Sequence, residues 1–149
     1  MTTLKRTNSS DPDFLKLVKL LDADLLAMYG DEMDFYKEFN TVEEIKHVIV
    51  AYHNNNPAGC GAFKQYAPGV MEVKRIFVDP AYRGKGIAEK VMTALEDWAA
   101  ELAVKQMILE TGDLQQAAVA LYEKIGYKLV DNYGQYSGAP SSICFSKFI

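Results

Sequence analysis

Apolar residues at Phe14, Leu15, Val18, Leu21, Leu25 and Met28 recur at three- and four-residue steps, the spacing of one helix face, and predict a helix that ends near Gly30. Ser9-Ser10-Asp11-Pro12 ahead of it reads as a start signal, with proline tolerated in the first turn. Thr2 to Thr7, His47 to His53 and Cys60 to Gln65 read as strands, the last two joined through an Asn54–Gly59 turn. Pro68-Gly69 turns the chain into another strand, Met71 to Val78. A second helical stripe follows at Ile87, Val91, Leu95, Trp98 and Leu102. Gln106 to Thr111 then reads as a strand, and Gln115 to Lys124 as a helix closed by Gly126. Tyr127 to Asn132 and Ile143 to Phe148 complete the strands.

Two consequences follow for topology. Strands joined by hairpins run antiparallel, whereas strands 71–78 and 106–111, separated by a long helix, should run parallel. The sheet is therefore mixed and the fold class α/β (α+β). Residues 31–41, acidic and aromatic, read as a loop or short helix. With 149 residues the chain is long enough for one domain with a proper core.

The strand–loop–helix at 71–102 carries the first chemistry. Asp79-Pro80 leads into Arg83-Gly84-Lys85-Gly86-Ile87-Ala88, where the next helix begins. Glycines there let the main chain approach a ligand closely, and a helix N-terminus with two cations beside it suits a phosphate. A P-loop would need Ser or Thr directly after Gly-Lys, but Gly86 follows Lys85 and the next hydroxyl is Thr93. A dinucleotide fingerprint would need a small residue where Glu89 stands.

Arg83-x-x-Gly86-x-Ala88 after a strand does match a third pattern, and here the chain resembles the GCN5-related N-acetyltransferase (GNAT) superfamily. "EVKRIFVDPAYRGKGIAEKVM" from Glu72 looks like the family's central motif. Leu109-Glu110-Thr111-Gly112 and Ala118-Val119-Ala120-Leu121-Tyr122-Glu123-Lys124-Ile125-Gly126-Tyr127 resemble its next strand and helix. The resemblance covers roughly residues 47 to 134. It implies a single N-acetyltransferase domain over 1–149. Its mixed, mostly antiparallel six- to seven-stranded sheet would carry helices on both faces and one parallel pair joined by the central helix.

The resemblance also implies an activity: transfer of an acetyl group from acetyl-CoA to a primary amine of a small molecule or protein, by direct attack without an acyl-enzyme. A non-catalytic coenzyme A-binding sensor on the same scaffold is the alternative. The pyrophosphate would rest on Arg83, Gly84, Lys85, Gly86, Ile87 and Ala88, mostly through backbone N–H groups. Ile76, Phe77 and Val78 would meet the pantetheine arm through their main chain, with an N–H near Val78 as oxyanion donor.

Tyr122 stands at the family's general-acid position, and a core tyrosine packing the helix beside Leu121 and Ile125 is the competing reading. Glu72 aligns with a glutamate that serves as base, often through water. Strand alternation puts it on one face with Lys74, Ile76 and Val78, and pairing with Lys74 is the competing reading. Glu110, on the adjacent parallel strand, is a second carboxylate. Gln115 stands where the family often has an asparagine that bonds the cofactor. Its amide is retained, with a longer reach. Tyr52, Tyr133 and Tyr136 are candidates to line an acceptor pocket or to cover the sheet, and the carboxylates of 31–39 would suit a cationic amine or form a solvated acidic loop.

Charge and cysteines narrow the classes further. A formal charge of −4, with no basic stripe, argues against nucleic acid as an obligate partner. Two cysteines, Cys60 and Cys144, have no Cys-x-x-Cys spacing, which leaves them reduced and buried and makes a cytoplasmic location the expectation. His47 and His53 have no companion at ligand spacing, so no metal is expected. No leader segment and no span of 18 apolar residues is read, so no membrane partner is expected. Oligomeric state stays open between monomer and homodimer.

Overall fold

The computed structural model describes residues 1–30 and 44–149; the acidic-aromatic stretch 31–41 lies outside the described residues. The elements run β1 (Thr2–Thr7), α1 (Pro12–Tyr29), β2 (His47–His53), β3 (Asn56–Ala67), β4 (Val70–Val78), α2 (Ile87–Glu101), β5 (Gln106–Gly112), α3 (Gln116–Lys124), β6 (Lys128–Val130) and β7 (Ser142–Phe148). Short 3-10 turns at Pro80–Tyr82 and Gly134–Tyr136 precede α2 and β7. The strands form one seven-stranded sheet in the order β1-β2-β3-β4-β5-β7-β6. The β4–β5 pair is parallel, as the intervening helix requires, and runs from Val70↔Gln106 to Val73↔Leu109.

The chain gathers into two compact units. The first comprises Met1–Phe63 and Arg75–Leu95. Here α1 starts because the Asp11 side chain accepts from the backbone N–H groups of Asp13 (2.8 Å) and Phe14 (3.3 Å), while Pro12 occupies the first turn. Its buried face, Phe14, Leu17, Val18 and Leu21, packs on Val48, Val50, Cys60, Ala62 and Phe77. Phe14, Val18 and Leu21 of the predicted stripe are buried, but Leu17 joins that face in place of Leu15, and Leu15 and Met28 are exposed.

The β2–β3 hairpin closes tighter than expected. Asn54 and Asn55 both take positive φ (49° and 68°), so strand pairing resumes at His53↔Asn56. Two left-handed residues are what a two-residue hairpin with right-handed strand twist demands, and asparagine tolerates them. β3 therefore begins at Asn56 and not at Cys60. Within this unit Gly61 lets helix α2 lie close, since a Cβ there would come within 2.8 Å of Val91 and 3.0 Å of Leu95.

The second unit comprises Lys64–Lys74 and Glu96–Ile149. β5 pairs antiparallel with β7, and β6 with β7. Met107, Leu109, Phe145, Tyr122 and Tyr127 are buried here. Within this unit Glu96 accepts from the Tyr127 hydroxyl (2.9 Å) and pairs with Lys147 (2.8 Å). α2 stops at Glu101, and Ala103 turns left-handed (φ 62°), so Leu102 does not continue the buried stripe and is exposed. α3 ends as predicted, with Gly126 at φ 99° just past the Ile125 cap. Both cysteines are free thiols and buried.

Candidate active site

The glycine loop belongs to the first unit. Gly84 and Gly86 take φ 81° and 75°, and a Cβ at either would meet nothing within 4 Å. The requirement is thus one of backbone hand, not of space: alternating left-handed residues turn consecutive N–H groups toward a common side, an arrangement that binds anions. α2 begins at once, and Lys90 N–H bonds back to the Gly86 carbonyl (3.2 Å). Helix geometry leaves the amides of Ile87 and Ala88 without an intrahelical acceptor.

Arg83 is held by three contacts. Its Nε donates to the Val78 carbonyl (3.1 Å), and its guanidinium lies 3.4 Å from Asp24 and above the Phe77 ring. Its side chain thus braces the end of β4. Asp79 fixes the intervening turn, its carboxylate accepting from Ala81 N–H (3.0 Å).

β4 itself departs from expectation. Arg75 takes φ 62°, a left-handed residue inside a strand, and its guanidinium pairs with Asp22 (2.9 Å). Such an irregularity breaks the two-residue alternation. Glu72, Lys74, Ile76 and Val78 therefore do not share one continuous face, contrary to the strand pattern. In the first unit Ile76 reaches the space over Gly61, and Phe77 is buried in the α1 core, so Phe77 has only its main chain to offer a ligand.

In the second unit the buried polar groups gather around Glu72 and Glu110. Glu72 is 2% exposed; it accepts from the Tyr133 hydroxyl (2.7 Å), and Lys74 Nζ lies 3.9 Å away. The anticipated Lys74 contact is real, but Tyr133 is the closer partner. Glu110 accepts from Ser142 Oγ at 2.6 Å. Burial pushes Glu110 up to about 7; the Ser142 hydrogen bond opposes this, the Glu72 charge adds to it, and Lys74 opposes it.

Tyr122 is buried, with ring centroids 5.9 Å from Phe145 and 6.0 Å from Tyr127. Burial, helped by Glu110, holds its phenol well above the usual range, so it is protonated at neutral pH. Tyr136 is buried beside Tyr133, their rings edge-to-face at 5.6 Å. Tyr52 is differently engaged, donating to Asp13 (2.7 Å) in the first unit. Gln115 caps α3 without a side-chain hydrogen bond to its backbone.

His47 stacks on Phe63, and His53 packs on Tyr82 with its Nδ1 3.4 Å from the Thr2 hydroxyl. Among the described residues no group of three or more His, Cys, Asp or Glu is placed to hold a metal ion. No described helix is long and apolar enough to cross a membrane. Sequence reasoning missed Ser142 and the Asp22 and Asp24 partners of the two arginines. All three contacts are distant in the chain, and no local pattern signals them.

Comparison with known proteins identifies the family. The family model of the acetyltransferase (GNAT) family matches residues 14–127, and the chain belongs to that family. It is 30% identical over 147 residues to the IAA acetyltransferase of Azospirillum brasilense, covering 97% of this chain and 96% of that protein. A Klebsiella pneumoniae protein, provisionally named an acyl-CoA N-acyltransferase, superposes with a TM-score of 0.83 at 28% identity, covering 99% of this chain and 97% of that one. A Bacillus anthracis protein, provisionally named a streptothricin acetyltransferase, was solved with acetyl coenzyme A. It matches at a TM-score of 0.61 and 25% identity, over 76% of this chain and 68% of its own. The fold is the GNAT-type α/β fold, and the family supports an acyltransferase.

Proposed function

We propose that the protein is an acetyl-CoA-dependent N-acetyltransferase that moves an acetyl group to a primary amine by direct attack. The observation that carries this reading is the paired left-handed glycines, Gly84 and Gly86, set immediately before the N-terminus of α2 in a chain of the GNAT family. Backbone N–H groups of 83–88 would receive the cofactor's pyrophosphate, with Lys85 adding charge. Arg83 is engaged at both ends, its amide with the Pro80 carbonyl (3.4 Å) and its guanidinium with Val78 and Asp24, and would act by bracing the loop.

Ile76, Phe77 and Val78 lie beyond the β4–β5 register, which ends at Val73, and would offer main-chain groups to the pantetheine. The Val78 N–H would polarise the thioester carbonyl. Tyr122 would return a proton to the departing thiolate; its raised phenol pKa keeps it in the protonated form that an acid must start from. Gln115, at the start of α3, would bond the cofactor through its amide. Among the described residues, the buried Glu72 and the half-buried Glu110 would be available to an amine.

The test is incubation with acetyl-CoA and a panel of primary amines, with free thiol as the readout and calorimetry of acetyl-CoA binding beside it. Thiol release that depends on the amine is expected. Binding without release from any amine would instead support the non-catalytic coenzyme A sensor.

A further inference from the structure

Inside β4 the backbone takes a left-handed turn that no glycine provides. Arg75 sits at φ 62° and, among the described residues, is the one non-glycine residue at positive φ within a strand; Asn54 and Asn55 form the hairpin turn, and Ala103 follows α2. This conformation crowds Cβ against the following carbonyl oxygen and persists where the surroundings hold it. Glycine would adopt it freely. An arginine in that place is informative, because its side chain can be part of what holds the backbone.

Arg75 is gripped at both ends within the first unit. Its guanidinium pairs with Asp22 Oδ1 at 2.9 Å, and the arginine side chain is 9% exposed against 51% for the aspartate. A nearly buried cation has lost most of its hydration, so the carboxylate is a charge-assisted partner and more than a surface contact. The Arg75 carbonyl accepts from the Cys60 thiol at 3.3 Å. Cys60 is fully buried, and burial pushes its thiol up to about 12, which keeps it protonated and able to donate. The anchor is firm as well: Leu21, next to Asp22 on α1, is buried in the same cluster as Cys60 and Phe77.

The place of this turn along the strand matters. β4 pairs with β5 as far as Val73, and Ile76, Phe77 and Val78 follow Arg75 directly. A residue of inverted hand re-aims the peptide groups after it and interrupts regular pairing.

We propose that Asp22 and Arg75 form a positioning pair: the α1 carboxylate holds Arg75 left-handed, and that turn presents the main chain of 76–78 to the cofactor's pantetheine arm. The proposal rests on the acetyl-transfer reading above. Neither side chain is asked to touch the cofactor. Without the ion pair Arg75 relaxes toward the ordinary extended conformation, and the peptide groups of 76–78 turn with it. Apparent affinity then falls by the fraction of molecules that remain competent. The left-handed penalty for a residue with a Cβ makes that fall about tenfold.

The experiment measures acetyl-CoA binding to the full chain by calorimetry, with thermal melts beside it. Asp22→Asn changes a half-exposed side chain without altering its size and should weaken binding about tenfold. Arg75→Ala, which loses the guanidinium and keeps the Cβ penalty, should weaken it equally. Arg75→Gly loses the same ion pair but reaches the left-handed region unaided, so its affinity should stay within about twofold of the unsubstituted chain. Adding Asp22→Asn to Arg75→Gly should then change nothing further. A pair that merely stabilised the fold would be missed equally in Arg75→Ala and Arg75→Gly. Unaltered affinity in Asp22→Asn, or equal losses in the two Arg75 variants, overturns the positioning pair and leaves the cofactor reading standing. If the unsubstituted chain does not bind acetyl-CoA, both fall.

Discussion

The Tyr133 hydroxyl donates a 2.7 Å hydrogen bond to Glu72 across 61 positions of chain. It joins the segment before β7 to a carboxylate in β4 that would otherwise be buried with only a lysine 3.9 Å away. Tyr133→Phe removes the donor and leaves the acceptor in place. A hydrogen bond to a buried charged group is worth about 1.5–3 kcal/mol, so chemical denaturation should show a loss of that order. A change under about 0.5 kcal/mol would mean that the bond is not formed in solution.

Glu110 makes stability depend on pH with a defined sign. Its folded pKa, about 7, lies above the ordinary 4.5. Below pH 4.5 the group is protonated in both states and costs nothing. The penalty for ionising it in the folded protein grows between the two values and is complete above pH 7. Glu110→Gln should therefore raise the melting temperature at pH 8 and change it little at pH 4.5. Its gain at pH 8 should be at most about 3 kcal/mol. Equal melting shifts at both pH values would contradict the assignment.

Tyr122→Phe keeps the ring that packs on Phe145 and Tyr127 and deletes only the hydroxyl. Turnover should fall by about 100-fold or more, within the range of general-acid contributions, while acetyl-CoA affinity stays within about twofold. A full-rate variant would leave Tyr122 as a packing residue only.

Gly61→Ala tests the approach of α2 in the first unit. The added methyl would meet Val91 and Leu95 at 3.0 Å or less, and both are fully buried. Overpacking of this kind costs about 1–3 kcal/mol, read as a fall in denaturation midpoint without a change in slope.

Helix α1 carries a further pH signature at Asp11. Burial opposes its charged form, but hydrogen bonds from Lys5, Thr7 and the amides of Asp13 and Phe14 outweigh that and hold its pKa below the usual value. Its contribution is present above the ordinary carboxylate pKa and is lost as pH falls through the lowered one. Asp11→Ala should cost about 0.5–2 kcal/mol at pH 7 and less at pH 3, by thermal melts at the two values.

Much of the fold was legible because local chemistry determines it. The Asp11-Pro12 start, the Gly126 stop and the parallel β4–β5 pair each follow from a few neighbouring residues or from the length of a connection. The hairpin turn is shorter than the Asn54–Gly59 pattern suggests, because Asn54 and Asn55 suffice for it and Pro57 joins β3. What the sequence hid depends on distance or on backbone hand. Arg75 at φ 62° breaks the strand alternation with no glycine to announce it. The Tyr133–Glu72 and Ser142–Glu110 bonds join residues far apart in the chain, so β4 and β5 advertise two carboxylates but not the donors that separate their behaviour.

The central claim is that the amides of 83–88 hold the cofactor's diphosphate. Backbone amide chemical shifts of Gly84, Gly86, Ile87 and Ala88 test it most directly, followed by NMR during titration with coenzyme A and, separately, with pantetheine, which lacks the diphosphate. The account predicts large shifts at these four amides with coenzyme A and little change there with pantetheine. Unmoved amides with coenzyme A, or equal movement with both compounds, would contradict it.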